Sequence, residues 1–339
     1  MNHLVREISA LPGRILPFSW IKYPFRKKSV FPFYHLVTDD PAPHAEALYP
    51  VVSVKRFQED LNFFLRHFYP MTFDQVLNVA SGNPLAGKTP GFFLTFDDGM
   101  REMAETVAPI LFAKGIHAAF FVNPAFIGNR ELFYRHKASL LISGIRMPGK
   151  DLKARHCAKL LGCKPEELIS RIFSVGIHEI HILDKLATYL EIDFQQFLRE
   201  KKPYMELSQL RKLQQEGFII GSHSHNHPLF SEIPEEEMKK QLAESMEWLQ
   251  NNLEICKRTF AFPFTDDRVP GSFFRWMTEF AKIDVSFGTA GFKTEGIVRH
   301  IQRIPMEKRG TGSAKQIIRG EFSYSFVRSI FGKNKIIRK

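Results

Sequence analysis

The stretch Gly91-Phe92-Phe93-Leu94-Thr95-Phe96-Asp97-Asp98-Gly99 runs from an apolar segment straight into two carboxylates and a glycine. A short apolar run bounded by turn chemistry reads as a strand buried on both faces, as in a parallel sheet. Its end places two adjacent aspartates at the mouth of that strand. There they repel each other and lose hydration unless a proton or a cation offsets them. Asp-Gly alone would be an equally good turn signal. Successive side chains of a strand point to opposite faces, so two aspartates at its end suit different roles, one ligating and one holding a proton.

Far downstream, Ile219-Ile220-Gly221-Ser222 leads into His223-Ser224-His225-Asn226-His227-Pro228. His223 and His227 lie four apart in a polar turn after a strand, a spacing that can bring two imidazoles to one point, with His225 between them facing away. Two imidazoles and one carboxylate form a facial ligand set that suits zinc, or iron, cobalt or nickel, and leaves positions for water and substrate. A metal held this way brings its water toward a pKa of ~7 and polarises a carbonyl, the two tasks of amide or ester hydrolysis.

Strand and helix patterns alternate around these motifs. Residues 30–37 have strand character, with His35 near the end and Thr38-Asp39-Asp40-Pro41 as the turn. Ser53 is set to cap a helix whose apolar face is Phe57, Leu61, Phe64, Leu65 and Phe68. A helix over 102–114 closed by Gly115, a strand over 118–122 ended by Asn123-Pro124, and a helix capped by Ser208 and stopped by Gly217 follow. Next come a strand over 218–221, a helix over 234–249, a strand over 259–264, and weaker strand signals over 283–287 and 297–304. Such alternation implies parallel strands with crossover helices. Residues 130–205 break the rhythm with helical stretches and no convincing strand, and read as a helical insertion.

At 339 residues the chain fits one α/β barrel carrying an insertion, and 33 phenylalanines suit its bulky filling. The expected organisation is a basic, irregular lead-in over 1–29, a barrel over 30–312 with the insertion at about 130–205, and a basic aromatic tail over 313–339. Cys157, Cys163 and Cys256 lack the paired spacing of a thiolate site and read as reduced, buried thiols. No run approaches the ~20 apolar residues of a membrane span, and no apolar signal core precedes a small-residue cleavage site. A cytoplasmic location is therefore expected.

The formal net charge of +11 is concentrated partly in Arg26-Lys27-Lys28 and in Lys333, Lys335, Arg338 and Lys339. The functional reading is attraction to an anionic surface, at the inner membrane face or on a polyanionic glycan, helped by Phe322, Tyr324, Phe326, Val327, Ile330 and Phe331. The commoner reading is a solvated tail with a helix packed on the barrel. Nucleic acid is not an expected partner, because no recognised binding motif accompanies the charge.

Thr95-Phe96-Asp97-Asp98-Gly99 and His223-Ser224-His225-Asn226-His227 resemble, in order and strand context, the first two motifs of the NodB-homology polysaccharide deacetylases, carbohydrate esterase family 4. Similarity extends to Tyr34-His35-Leu36-Val37, Ala118–Val122, Phe260-Ala261-Phe262-Pro263-Phe264 and Arg303-Ile304-Pro305-Met306. The resemblance implies an α/β fold, a distorted (β/α)7-type barrel with the metal at the C-terminal ends of its strands. It implies Asp98, His223 and His227 as ligands of a divalent metal, most simply Zn2+, and Asp97 as the general base. The substrate would be an acetylated carbohydrate losing N-acetyl or, less commonly, O-acetyl groups.

For the general acid, the resemblance is to exopolysaccharide deacetylases that place the histidine motif first, which selects His35, with His300 as the fallback. Many members open the third motif with an arginine that holds the base. Here Phe260-Ala261-Phe262-Pro263-Phe264-Thr265 has none, so Arg303 is the candidate cation, while Phe262, Pro263 and Phe264 form an apolar wall. Two rival functions fit the same residues: hydrolysis of another non-peptide C–N bond on this barrel, or a catalytically weak glycan-binding or membrane-associated module.

Overall fold

The computed structural model describes residues 28–83, 85, 89–310 and 312–338, so the expected lead-in lies outside the described residues up to Arg26-Lys27. Strands β1 (Pro32–Tyr34), β2 (Tyr69–Pro70), β3 (Gly91–Phe92), β4 (Leu94–Phe96), β5 (Ala118–Val122), β6 (Ile219–Ser222), β7 (Thr259–Ala261), β8 (Val285–Gly288), β9 (His300–Gln302) and β10 (Ile304–Pro305) are all parallel to their neighbours. Eight of them form one sheet in the order β10-β1-β4-β5-β6-β7-β8-β9. β9 and β10 are two halves of one segment, joined at Arg303, pairing with β8 on one side and β1 on the other. That segment makes the sheet a nearly closed barrel of seven staves.

Alternation along the strands sorts the phenylalanines. Phe31, Phe93, Phe121 and Phe287 fill the barrel with Ala119, Ala261, Val285 and Ile301, while Phe96, Phe120 and Phe260 face the helices. Gly221 of β6 allows a close approach here, since a Cβ would lie 2.2 Å from Thr259 Oγ1 and 2.5 Å from the Phe121 ring.

The first surrounding helix, α1 (Val54–His67), starts as its sequence prescribes: Ser53 Oγ accepts from the Arg56 amide at 3.2 Å, and Phe57, Leu61 and Phe64 are buried. α2 (Phe73–Ala80) has a capping box between Thr72 and Gln75. The expected helix over 102–114 opens as a π-helical turn (Met103–Val107) before α3 (Ala108–Ala113). The insertion contributes α4 (Tyr134–Ile145), α5 (Asp151–Leu160), α6 (Leu168–Ser174), α7 (Ile180–Leu190) and α8 (Phe194–Lys201). α9 (Leu207–Gln215) is capped by Glu206, two residues before Ser208, in a capping box with Gln209 whose Oε1 accepts the Glu206 amide at 2.8 Å. α10 (Glu235–Asn252) and α11 (Gly271–Glu279) complete the ring.

α12 (Ala314–Ile330) packs on α1 and buries Ala314, Ile317, Ile318 and Phe322, the last stacked on Phe292, and its first amide donates to buried Asp60 Oδ1 at 2.6 Å. Beyond it the chain forms a strap along Thr294, with Thr294 N–H donating to Asn334 and Ile336 N–H returning to Thr294. The basic end is therefore not all solvated. Arg338 is buried by the strap, its Nε 2.7 Å from Glu295 Oε2 and its Nη2 against Asp266 Oδ2. The cysteines also differ from expectation: all three are free thiols, but only Cys157 is buried, Cys163 being half-buried and Cys256 exposed. No helix among the described residues is long and apolar enough to cross a membrane.

Removing one member of a buried ion pair strands the other, at about 3–5 kcal/mol. Arg338→Ala is expected to lower the unfolding free energy by that order, read as a fall in the urea midpoint, by leaving Asp266 and Glu295 without their arginine. An unchanged midpoint would show that the strap is not part of the fold.

Candidate active site

The C-terminal ends of β1, β4, β6 and β7 open into a cleft of about 510 Å³. His35, Asp97, Asp98, His223, His227, Phe262 and Phe264 all line it, and Pro263 does not. Tyr49, Phe133, Arg135, Phe173 and Thr289 also reach the cleft, and nothing in the motif patterns singled them out.

β4 ends at Phe96, and Asp98 turns into the left-handed region with φ 70°. That turn abolishes the strand alternation that would have sent Asp97 and Asp98 to opposite faces. Ser224 (φ 67°), His227 (φ 62°) and Phe264 (φ 57°) share this conformation. Each such residue costs roughly 1–3 kcal/mol and persists only where its surroundings enforce it. Asn123, just past β5, enforces part of it by donating its side-chain amide to the carbonyls of His223 and Ser224.

Asp98 Oδ1 lies 3.2 Å from His227 Nε2 and 3.5 Å from His223 Nε2, and the two Nε2 atoms are 3.1 Å apart. His223 Nδ1 is 2.8 Å from the carbonyl of Ala261, an acceptor only, so this nitrogen carries the hydrogen. Burial lowers the His223 pKa to about 4, which leaves a neutral ring with an Nε2 lone pair aimed at Asp98. The Nε2 atoms of His223 and His227 and a carboxylate oxygen with no hydrogen-bond donor among the described residues put three potential ligand atoms around one point. A divalent cation fits that donor set.

Asp97 is held from behind. Arg303 Nη1 donates to Oδ1 at 2.7 Å and Nη2 to Oδ2 at 2.8 Å, with Nη1 also 2.9 Å from Thr95 Oγ1. The guanidinium is fully buried inside the barrel, 4.5 Å from the centroid of Phe33 and 5.5 Å from that of Phe121. Burial works against the charge of Asp97, but Arg303 outweighs it and holds the carboxyl below its ordinary range. The arginine missing from the third motif is thus supplied across the barrel.

His35 closes β1 and stacks on Tyr49 with ring centroids 4.6 Å apart. Its Nδ1 pairs with Glu307 Oε2, while Glu307 Oε1 accepts the backbone amides of His35 at 2.8 Å and Leu36 at 2.9 Å. Burial opposes the charged ring, yet Glu307, with Asp98 and Asp97, raises the His35 pKa to about 9. Glu307 directly follows the Arg303-Ile304-Pro305-Met306 segment, and only its position next to that segment pointed toward it. His300 is elsewhere: Nδ1 bonds Ser286 Oγ at 2.7 Å and Nε2 lies 3.2 Å from Asp266, among the groups held by Arg338. The stave alternation that aims Arg303 inward turns His300 outward against Phe274 of α11.

The polysaccharide deacetylase family profile matches residues 86–268, more than half of the chain. The chain belongs to the polysaccharide deacetylase family. Membership places it among hydrolases acting on acetylated polysaccharide. No curated protein sequence matches it. Its fold is similar to that of the Streptococcus pyogenes deacetylase PplD in complex with acetate, at TM-score 0.55 and 14% identity over 86% of this chain and 97% of that one. IcaB from Ammonifex degensii gives 0.53 and 13% over 87% and 96%. A de-N-acetylase from Aggregatibacter actinomycetemcomitans gives 0.52 and 15% over 85% and 97%. At these identities the similarity establishes the distorted barrel common to all three.

Glu307→Gln removes the charge that sustains the imidazolium. In an NMR pH titration His35 of the native protein is expected to keep its proton up to about pH 9 and lose it above. The Glu307→Gln ring should titrate closer to the ordinary value of 6.5, and an unmoved titration would rule out the pair.

Proposed function

We propose that the protein is a metal-dependent deacetylase that hydrolyses N-acetyl groups on a glycan. One observation carries this reading: an ionised aspartate, aimed by a buried arginine, stands beside an uncompensated Asp98–His223–His227 triangle and shares its cleft with a protonated histidine. The family, a similar deacetylase held with acetate and a similar de-N-acetylase support the same reaction.

Asp98, His223 and His227 would hold the cation, zinc by its donor set, which when bound supplies a Lewis acid and an acidified water. Asp97 is the general base. Its charge is kept by Arg303, and the two parallel hydrogen bonds leave the carboxylate one orientation in which to accept the proton of the attacking water. His35 is the general acid, with Glu307 fixing its Nδ1 side and leaving Nε2 to protonate the leaving nitrogen. An amine leaves only when protonated, whereas an alkoxide is less dependent on an acid, so a histidine charged at neutral pH favours the N-acetyl substrate. Phe262 and Phe264 wall the site against water.

Acetate release from an N-acetylated oligosaccharide should stop on chelation and return with added Zn2+. Asp97→Asn and His35→Gln should each lower kcat by about 10²–10⁴ while the bound metal stays. Activity persisting in Asp97→Asn would remove the proposed base.

We also propose that the enzyme works at the cytoplasmic face of a membrane, held by its C-terminal helix. Phe326, Ile330 and Phe331 are half to two-thirds exposed on one end of α12, followed by exposed Lys333 and Lys335. Apolar groups beside lysines suit an anionic lipid surface. Co-sedimentation with phosphatidylserine vesicles should exceed that with phosphatidylcholine and fall in an Ile330→Asp/Phe331→Asp variant. Equal sedimentation in all three arms would refute the contact.

A further inference from the structure

We infer that Arg135 binds an oxyanion of the substrate, so that the glycan accepted by this site carries a phosphate or carboxylate close to the acetylated sugar. The inference rests on the deacetylase reading and narrows its substrate class.

Apart from Asp98, whose charge the proposed cation would offset, the charges of the cleft are matched with one exception. Asp97 is paired with Arg303, His35 with Glu307, and Asp98 faces the two imidazoles. Arg135 also lines the cleft, yet no carboxylate lies within ion-pair reach of it among the described residues. Its neighbours hold it without neutralising it. Nη1 donates to the carbonyl of Phe173, and the guanidinium sits 4.9 Å from the centroid of Tyr134 and 5.6 Å from that of Phe264. The same Phe264 ring lies 4.5 Å from the His227 ring. A single phenyl group thus separates the unpaired cation from the candidate metal triangle, a separation that places a substituent of the bound sugar, or of the next unit, at Arg135.

A guanidinium has five N–H donors in a planar fork, of which the Phe173 carbonyl and the Tyr134 side chain take up only part. The remaining face matches two oxygens of a phosphate or carboxylate. Substrate entering the cleft strips water from this charge, and sugar hydroxyls return less than was lost, whereas an oxyanion compensates it. Neighbouring cations elsewhere in the insertion differ in this respect: Lys137 is paired with Asp184 and Lys153 with Glu191. Other cations of the insertion, such as Arg146 and Arg155, make no ion pair among the described residues either, but among the residues lining the cleft Arg135 alone is a lysine or arginine.

The test compares neutral, phosphorylated and uronate-containing N-acetylated oligosaccharides of equal length. The native enzyme is expected to prefer at least one anionic series by about tenfold or more in kcat/KM, the worth of a charge-assisted contact. The preference should shrink as salt rises, and the arm that shows it identifies phosphate or carboxylate as the recognised group. Arg135→Gln should abolish the preference through KM while leaving neutral substrate unchanged, and Arg135→Lys should restore part of it. No preference in the native enzyme, or an equal loss on neutral and anionic substrates in Arg135→Gln, overturns the inference. Equilibrium binding of the anionic oligosaccharide to native and Arg135→Gln protein decides it independently of turnover. If no substrate releases acetate but the binding difference holds, the deacetylase reading fails and the anion site stands.

Discussion

The ion pair between Arg303 and Asp97 joins the closure of the barrel to the chemistry of its mouth. Arg303 sits where β9 passes into β10, the one place where a single segment pairs with the strands on both sides of the seam. Its side chain must point inward there, because Ile301 two residues earlier does so and the period of a strand is two. A fully desolvated guanidinium is tolerable only with a partner of good geometry, and Asp97, 206 residues away, supplies two parallel bonds. Phe33, Phe121 and Phe287 surround the remaining faces. The seam cannot slip by one residue without leaving both charges buried and unpaired, so the register that closes the barrel also aims the aspartate.

The same economy governs the other half of the site. Asp98, Ser224 and His227 hold left-handed backbones that a free chain would avoid, and rigid strands on either side enforce them. His223 is fixed through its Nδ1 by a carbonyl of β7, His35 by a carboxylate beyond β10, and the loop between the histidines by Asn123 beyond β5. The His223 and His35 rings are thus positioned from neighbouring staves rather than from their own. This is why the geometry survives at strand ends, where loops are otherwise mobile.

What could be read in the sequence was what is local. The apolar run ending in Asp97-Asp98, the paired imidazoles, the Ser53 cap and the helical insertion all follow from residues within a few positions of one another, and they gave the barrel and most of the cleft. Contacts between distant segments were harder. Arg303 was reachable because a missing motif arginine demanded a substitute. Glu307 was not, since a carboxylate near a chain turn has no periodicity to mark it as the partner of a histidine 272 residues earlier. His300, the fallback to His35, is set on the outer face by the alternation across Arg303. Ser208 yields the cap to Glu206 because the Gln209 side chain accepts the Glu206 amide and sets the helix start two residues earlier.

The division between scaffold and insertion follows from these constraints. Residues proposed for the chemistry come from strand ends, where displacement would break buried pairs, while Phe133, Arg135 and Phe173 reach the cleft from the start of α4 and from α6. The helices of the insertion pack chiefly on one another, α4 against α7 and α6 and α5 against α7, so their side chains can change without touching the seam. The residues proposed for the reaction are then anchored to the barrel while the insertion is free to vary, and the barrel is what the chain shares with solved structures at 13–15% identity. Arg135 is held in the insertion by the Phe173 carbonyl and by the faces of Tyr134 and Phe264, none of which neutralises it. Its charge stays open to an anion that enters the cleft.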